Sequence, residues 1–183
     1  INQGRVPVIT GFQGATEDGY LTTLGRGGSD TSASLLGVAL NASMIEIYTD
    51  VDGIMTADPR IVKDADLIDV ISYNEVFQLA DQGAKVIHPK AVEIAMEGNI
   101  PLLIKNTMND CRGTLINNFG DRKHRRIMSG ITSQGDRIQV SINRSENEGN
   151  KKYNDILELL AANKISLDLI NIFPDKQIFT INK

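Results

Sequence analysis

The sequence predicts an α/β protein: a parallel-sheet αβα sandwich, followed by a smaller unit that opens as a ferredoxin-like β-α-β-β fold. Three observations carry this. Over residues 1–116, short apolar runs of strand length alternate with helix-length amphipathic stretches, the pattern of a sheet with helices packed on it. Between two such runs lies a glycine-rich turn, Gly25-Arg26-Gly27-Gly28, that opens into a small, polar helix start. Beyond the polar and charged stretch 117–126 the pattern changes to one alternating strand, one helix and two more strands.

The elements follow in order. Val6-Pro7-Val8-Ile9-Thr10-Gly11 reads as a buried strand with Pro7 near its start. Asp18-Gly19 marks a turn that returns the chain along Tyr20–Leu24, a β-hairpin. Ser29 or Asp30 is the expected N-cap of the next helix, with Ser32, Leu35, Leu36 and Ala39 turned inward at helical spacing. Met44–Thr49 is the following strand. The succession of strand, helix and strand predicts a βαβ unit and hence a parallel sheet. Ser72 and Glu75 have the spacing of a capping box, ahead of Val76, Leu79, Ala80 and Gly83 on one face. Val86-Ile87-His88-Pro89 leads to another helix, with Ala91, Ile94 and Ala95 inward, Pro89 in its first turn and Gly98 past its end. Pro101–Asn106 and Gly113–Ile116 are further strands.

In the last stretch, Asp136–Ile142 alternates as a half-buried strand does. Tyr153, Ile156, Leu157, Leu160 and Ala161 share a helical face, and 165–172 and 177–181 are strands. The expected organisation is a first domain over 1–116, a linker over 117–126 and a second, partial domain over 127–183.

Composition narrows the function classes. Of the 183 residues 41% are hydrophobic and 23% charged, ordinary for a globular protein. A net charge of −4 gives no expectation of nucleic-acid binding, and the basic run 122–126 reads as a solvated linker. The single cysteine, Cys111, excludes an internal disulfide and a cysteine zinc cage, and fits a reducing cytoplasm. No stretch approaches the ~20 apolar residues of a membrane span, so no membrane partner is expected. The chain opens without Met and runs almost directly into an apolar segment, so it is expected to be part of something longer.

Two segments carry chemistry. Gly25–Ser34 combines glycines, a cation and a helix start, which suits a carboxylate or phosphate at the positive end of the helix dipole. It has neither the Walker A spacing nor that of a dinucleotide fingerprint, and a plain structural turn is its alternative. Thr49–Arg60 leaves the strand at the edge where α/β sheets hold ligands, although Asp-Gly and Asp-Pro are also ordinary turn pairs. Its Asp spacing is not that of an EF-hand. Lys85 reads first as a helix-end lysine, and His88 as a hydrogen-bonded structural histidine. Two histidines and one cysteine leave no transition-metal set.

Together, Gly25-Arg26-Gly27-Gly28-Ser29-Asp30, Tyr48–Ile54, Asp58-Pro59-Arg60, Gly83–Pro89 and Asn106-Thr107 resemble the aspartokinase family in order and spacing over about residues 5–116. Residues 127–183 look like the opening of the ACT regulatory domain that follows in that family. The resemblance implies the C-terminal half of the amino-acid-kinase fold. It also implies ATP-dependent phosphorylation of the side-chain carboxylate of L-aspartate, with Mg²⁺ carried by the nucleotide. That reaction gives 4-phospho-L-aspartate, the entry to lysine, threonine and methionine synthesis.

Carried over, Arg26 and Ser29 bind substrate, Arg26 gripping the α-carboxylate. Asp30 and Lys85 take the catalytic roles, Asp30 orienting the lysines that neutralise the phosphoryl group. Thr49, Asp50, Met55, Arg60, Lys85 and Val86 fall on nucleotide-binding positions, Met55 where some relatives carry tyrosine. A lysine or threonine effector at the ACT domain and a homodimer through its strands are implied as well. The family's opening Lys-Phe-Gly-Gly-Thr segment is not in this sequence, so little turnover is expected of this chain alone. The alternatives are a related amino-acid kinase and a non-catalytic regulatory subunit.

Overall fold

The computed structural model describes residues 4–84, 86–122, 127–143 and 151–183. The chain forms two compact units, Ile1–Ser133 and Gln134–Lys183. The division lies later than the expected start of the second domain at 127. Ile131 and Ser129 are tied by hydrogen bonds to Thr56 and Glu75 of the first unit, which keeps this stretch with it.

The first unit runs β1 (Gln13–Ala15), β2 (Leu21–Thr23), α1 (Gly28–Ala39), β3 (Ile45–Thr49), β4 (Val70–Ser72), α2 (Tyr73–Asp81), α3 (Pro89–Glu97), β5 (Leu102–Asn106) and β6 (Thr114–Asn117). Its main sheet has the order β3-β5-β6-β4. β3 lies parallel to β5 and β4 parallel to β6, and the two pairs meet in an antiparallel β5–β6 joint. The α/β class with a parallel-containing sheet therefore holds. Alternation sets the buried face. Ile45 and Ile47, Leu102 and Ile104, Ile116 and Ile71 all point into one core with Val76, Ala91, Val92 and Ala95 of the helices. Glu46 and Tyr48 face the other way and are exposed. Tyr73 is buried in that core, and its hydroxyl donates to the Ile100 carbonyl at 2.7 Å. Burial pushes its phenol above the usual range.

Several local expectations stand. Ser72 caps α2 in a capping box with Glu75, and Pro89 opens α3 with Gly98 at its end. The hairpin at Asp18-Gly19 forms, with Gln13 opposite Thr23.

Three expectations are corrected. The run Val6–Gly11 is not a strand, and Val6 and Val8 are almost fully exposed. An apolar run becomes a strand only where a neighbour completes its backbone hydrogen bonds, and no described strand pairs with this one. The βαβ unit is not built as read, because β2 pairs with β1 in a separate two-stranded sheet and the parallel partner of β3 is β5. Finally, the N-cap of α1 is Gly27, not Ser29 or Asp30, and its buried positions are Gly28, Ser34 and Gly37, while Leu35 and Ala39 are exposed. The helix approaches its neighbours too closely for leucine. The space a Cβ on Gly37 would take is filled by the Ile45 side chain, and that of Gly98 by Val38.

The second unit comprises β7 (Arg137–Asn143), α4 (Lys151–Ala162), β8 (Leu167–Ile172) and β9 (Lys176–Asn182). The sheet is antiparallel with β9 between β7 and β8, the order of a ferredoxin-like start. Phe179, buried at its centre, lies across from Val140 on one side and Ile170 on the other. On α4, Ile156, Leu157 and Leu160 are half-buried, whereas Ala161 is exposed. The loop 145–150 lies outside the described residues. Among the described residues no helix is long and apolar enough to cross a membrane.

Candidate active site

The site is organised by two helices that share a direction. Gly37, near the end of α1, packs on Ile45, the first residue of β3. α3 lies alongside: Gly27 touches His88 at one end and Val38 touches Gly98 at the other, so α1 and α3 are parallel. Their N-termini lie together, Gly27 against His88. Two positive helix ends and the first unsatisfied N–H groups of two helices therefore face one place. Helix N-termini of this kind are ready sites for anionic ligands.

Sequence explains each end. At α1 the turn Gly25–Gly28 is closed by the Gly28 N–H donating to the Gly25 carbonyl at 3.1 Å, with Gly27 in the left-handed region. Arg26 projects exposed from it, Ser29 is exposed in the first helical turn, and Asp30 beside it is half-buried. At α3 the cap is His88, whose Nδ1 accepts from the Lys90 N–H at 3.2 Å. Its ring lies on the backbone of Gly27, so a residue read from sequence as structural joins the two motifs. Val86 packs against the core. Lys85 lies outside the described residues.

The loop leaving β3 is pinned on several sides. The Thr49 hydroxyl donates to Asp50 at 3.1 Å, and its carbonyl accepts from the N–H and the hydroxyl of Thr107 at 2.8 and 3.0 Å. Asp52 accepts from the side-chain amides of Asn106 at 2.8 Å and Asn109 at 2.9 Å. The Cys111 thiol donates to the Asp52 carbonyl at 3.4 Å. Deeper in, the Ile54 N–H donates to the buried Thr114 hydroxyl at 2.8 Å. Met55 bridges to Leu67, and Arg60 reaches solvent while holding Asp58 through two side-chain bonds at 2.8 and 3.0 Å. The clasp of Asp52 with Asn106 and Asn109 was not singled out from sequence. Its only trace there was an asparagine at each side of the turn after a strand.

Hydrogen bonds from Asn109 and Asn106 lower the pKa of the Asp52 carboxyl below the usual carboxylate range. A group depressed in the folded state stabilises above its unfolded pKa, about 4, and loses that contribution as pH falls through the folded value. The side-chain amide resonances of Asn106 and Asn109 should therefore hold steady down to about pH 4 and shift below it. In Asp52→Asn, which keeps an acceptor but cannot titrate, that acid step should vanish. An unchanged step would assign it to another group.

Among the described residues no three of His, Cys, Asp or Glu gather as a metal site. Donors for an anion are what the two helix starts supply.

The model of the amino acid kinase family matches residues 1–106. Aspartokinase 1 of Bacillus subtilis is 42% identical over 179 residues, covering 95% of this chain and 44% of the relative. Among solved structures, E. coli aspartokinase III in complex with lysine and aspartate (T-state) superimposes with a TM-score of 0.74 at 34% identity, over 94% of this chain and 39% of that one. The same enzyme with aspartate and ADP (R-state) gives 0.65 at 31% identity, over 94% and 39%. The chain thus spans less than half the length of these relatives.

Proposed function

The chain belongs to the amino acid kinase family, and on that premise we propose that its first unit carries the nucleotide half of an aspartate kinase. The reaction is transfer of the γ-phosphoryl group of ATP to the side-chain carboxylate of L-aspartate, giving 4-phospho-L-aspartate. The observation that carries this reading is the meeting of the α1 and α3 N-termini, with Gly27 of the glycine turn against His88. Phosphoryl transfer is mostly positioning and charge neutralisation, and helix ends with nearby cations supply both.

In this reading Arg26, exposed on its turn, pairs with the α-carboxylate of aspartate, and Ser29 helps hold it. Asp30 and Lys85 are the catalytic pair, Asp30 orienting cationic groups and Lys85 neutralising the phosphoryl oxygens. Thr49, Asp50, Met55, Arg60, Lys85 and Val86 hold the nucleotide, which brings Mg²⁺ with it. Arg60 is held by Asp58 and points into solvent, a pre-oriented guanidinium for phosphate or ribose. The second unit is read as the start of an ACT domain, regulated by lysine or threonine and pairing through its strands in a homodimer. The setting is cytoplasmic.

The test is a calorimetric titration of the chain with Mg-ATP, repeated with Arg60→Ala. Saturable binding that Arg60→Ala weakens by about tenfold, the loss of one charge-assisted contact, supports the assignment. Binding that ignores Arg60, or no binding, removes the nucleotide role from the loop.

A further inference from the structure

The stretch that ends the first unit lies against the proposed nucleotide loop. Thr56, next to Met55, is held on three sides. Its N–H donates to the Asp66 carbonyl at 2.8 Å, its hydroxyl accepts from the Asp66 N–H at 3.0 Å, and its carbonyl accepts from the Ile131 N–H at 2.8 Å. Gly130 crosses the same carbonyl so closely that a Cβ there would sit 3.2 Å from it. The neighbouring Ser129 is anchored too, its hydroxyl donating to one oxygen of Glu75. The other Glu75 oxygen accepts from the Ser72 N–H at 2.9 Å and the Ser72 hydroxyl at 2.5 Å. Glu75 therefore has two tasks: it closes the cap of α2 and fixes the strap that crosses Thr56. Ile131 itself is 64% exposed, so its backbone N–H rather than its side chain makes the attachment.

We infer that Ser129–Ile131 is a positioning strap for the nucleotide loop, holding Met55 and Thr56 in the geometry that receives Mg-ATP. This rests on the reading of 49–60 as the nucleotide loop. Ile54–Thr56 already pairs with Asp66–Ile68 through Thr56 to Asp66 and Ile68 to Ile54. The strap adds a further tie at Thr56, through the carbonyl that the pairing with Asp66 does not use. It fixes the loop without touching the ligand, so its residues are positioning residues and not catalytic ones.

One backbone atom tests this. Ile131→Pro removes the N–H that Thr56 accepts, while Ile131→Ala keeps it. Titration with Mg-ATP should show affinity lower by about three- to tenfold in Ile131→Pro, the loss of one hydrogen bond, and within about twofold of wild type in Ile131→Ala. Ser129→Ala, which frees the Glu75 end of the strap, should weaken binding in the same direction with little change in melting temperature. Hydrogen exchange should localise the change, with the amides of residues 54–57 losing protection in Ile131→Pro while those of β5 keep theirs. Wild-type binding that Arg60→Ala weakens, with Ile131→Pro and Ser129→Ala indistinguishable from wild type, overturns the strap and leaves the nucleotide reading intact. No binding in any of the proteins overturns both.

Discussion

Gly27→Ala should destabilise the first unit by about 2–4 kcal/mol and abolish saturable nucleotide binding. The residue has φ 68° at the N-cap of α1, where an L side chain is strained. The added Cβ would also lie 2.4 Å from the His88 Cβ and 2.5 Å from its ring carbons. The imidazole cannot swing aside freely, because its Nδ1 caps α3, and losing a cap costs about 1 kcal/mol. The substitution must push α1 and α3 apart at the end where their dipoles meet. Urea unfolding and Mg-ATP titration measure both effects. His88→Gly, which removes both the Cβ and the ring, gives the control: in that background Gly27→Ala should cost only the backbone strain, about 1–2 kcal/mol. Equal penalties in the two backgrounds would mean that the Gly27–His88 contact couples nothing.

That contact also marks how far the sequence could be read. Features decided by neighbouring residues were legible: the Ser72–Glu75 box, Pro89 and Gly98 around α3, the Asp18-Gly19 turn and the β-α-β-β order of the second unit. Each rests on a backbone preference or a hydrogen bond a few residues long. What failed depended on partners far along the chain. Val6–Gly11 has strand composition, yet no described strand pairs with it. Hydrophobicity alone favours Leu35 for the inward face of α1, yet Leu35 is exposed. The packing of Ile45 on Gly37 and of Val38 on Gly98 instead selects small residues for close approach.

The candidate site divides along the same line. The glycine turn and the loop after β3 were recognisable as separate segments, but nothing local announces that His88 lies on Gly27 or that Asp52 meets Asn106 and Asn109. The strap over Thr56 was hidden for a further reason. It uses a backbone N–H, which every residue but proline carries.

Gly113→Ala should cost about 3 kcal/mol or more, through backbone rather than side-chain conflict. Gly113 closes the turn that brings β6 back onto β5, with φ 74°. A Cβ there would stand 2.2 Å from the Ile104 carbonyl oxygen and 3.2 Å from its carbon. A ring or an aliphatic tip could rotate out of the way, but this carbonyl belongs to the strand between β3 and β6, and moving it disturbs the ladder. The next residue, Thr114, carries the disturbance to the site, since its buried hydroxyl accepts the Ile54 N–H. Thr114→Val isolates that second step. It nearly keeps the shape, leaves the Ile54 N–H without its acceptor and should cost about 1–3 kcal/mol. Both variants should expose the Ile54 amide to hydrogen exchange, and only Gly113→Ala should also deprotect β5. A Gly113→Ala protein that loses less than about 1 kcal/mol and keeps Ile54 protected would sink this account. The turn would then be a passive connection, and the Asp52 clasp alone would have to seat the nucleotide loop on the sheet.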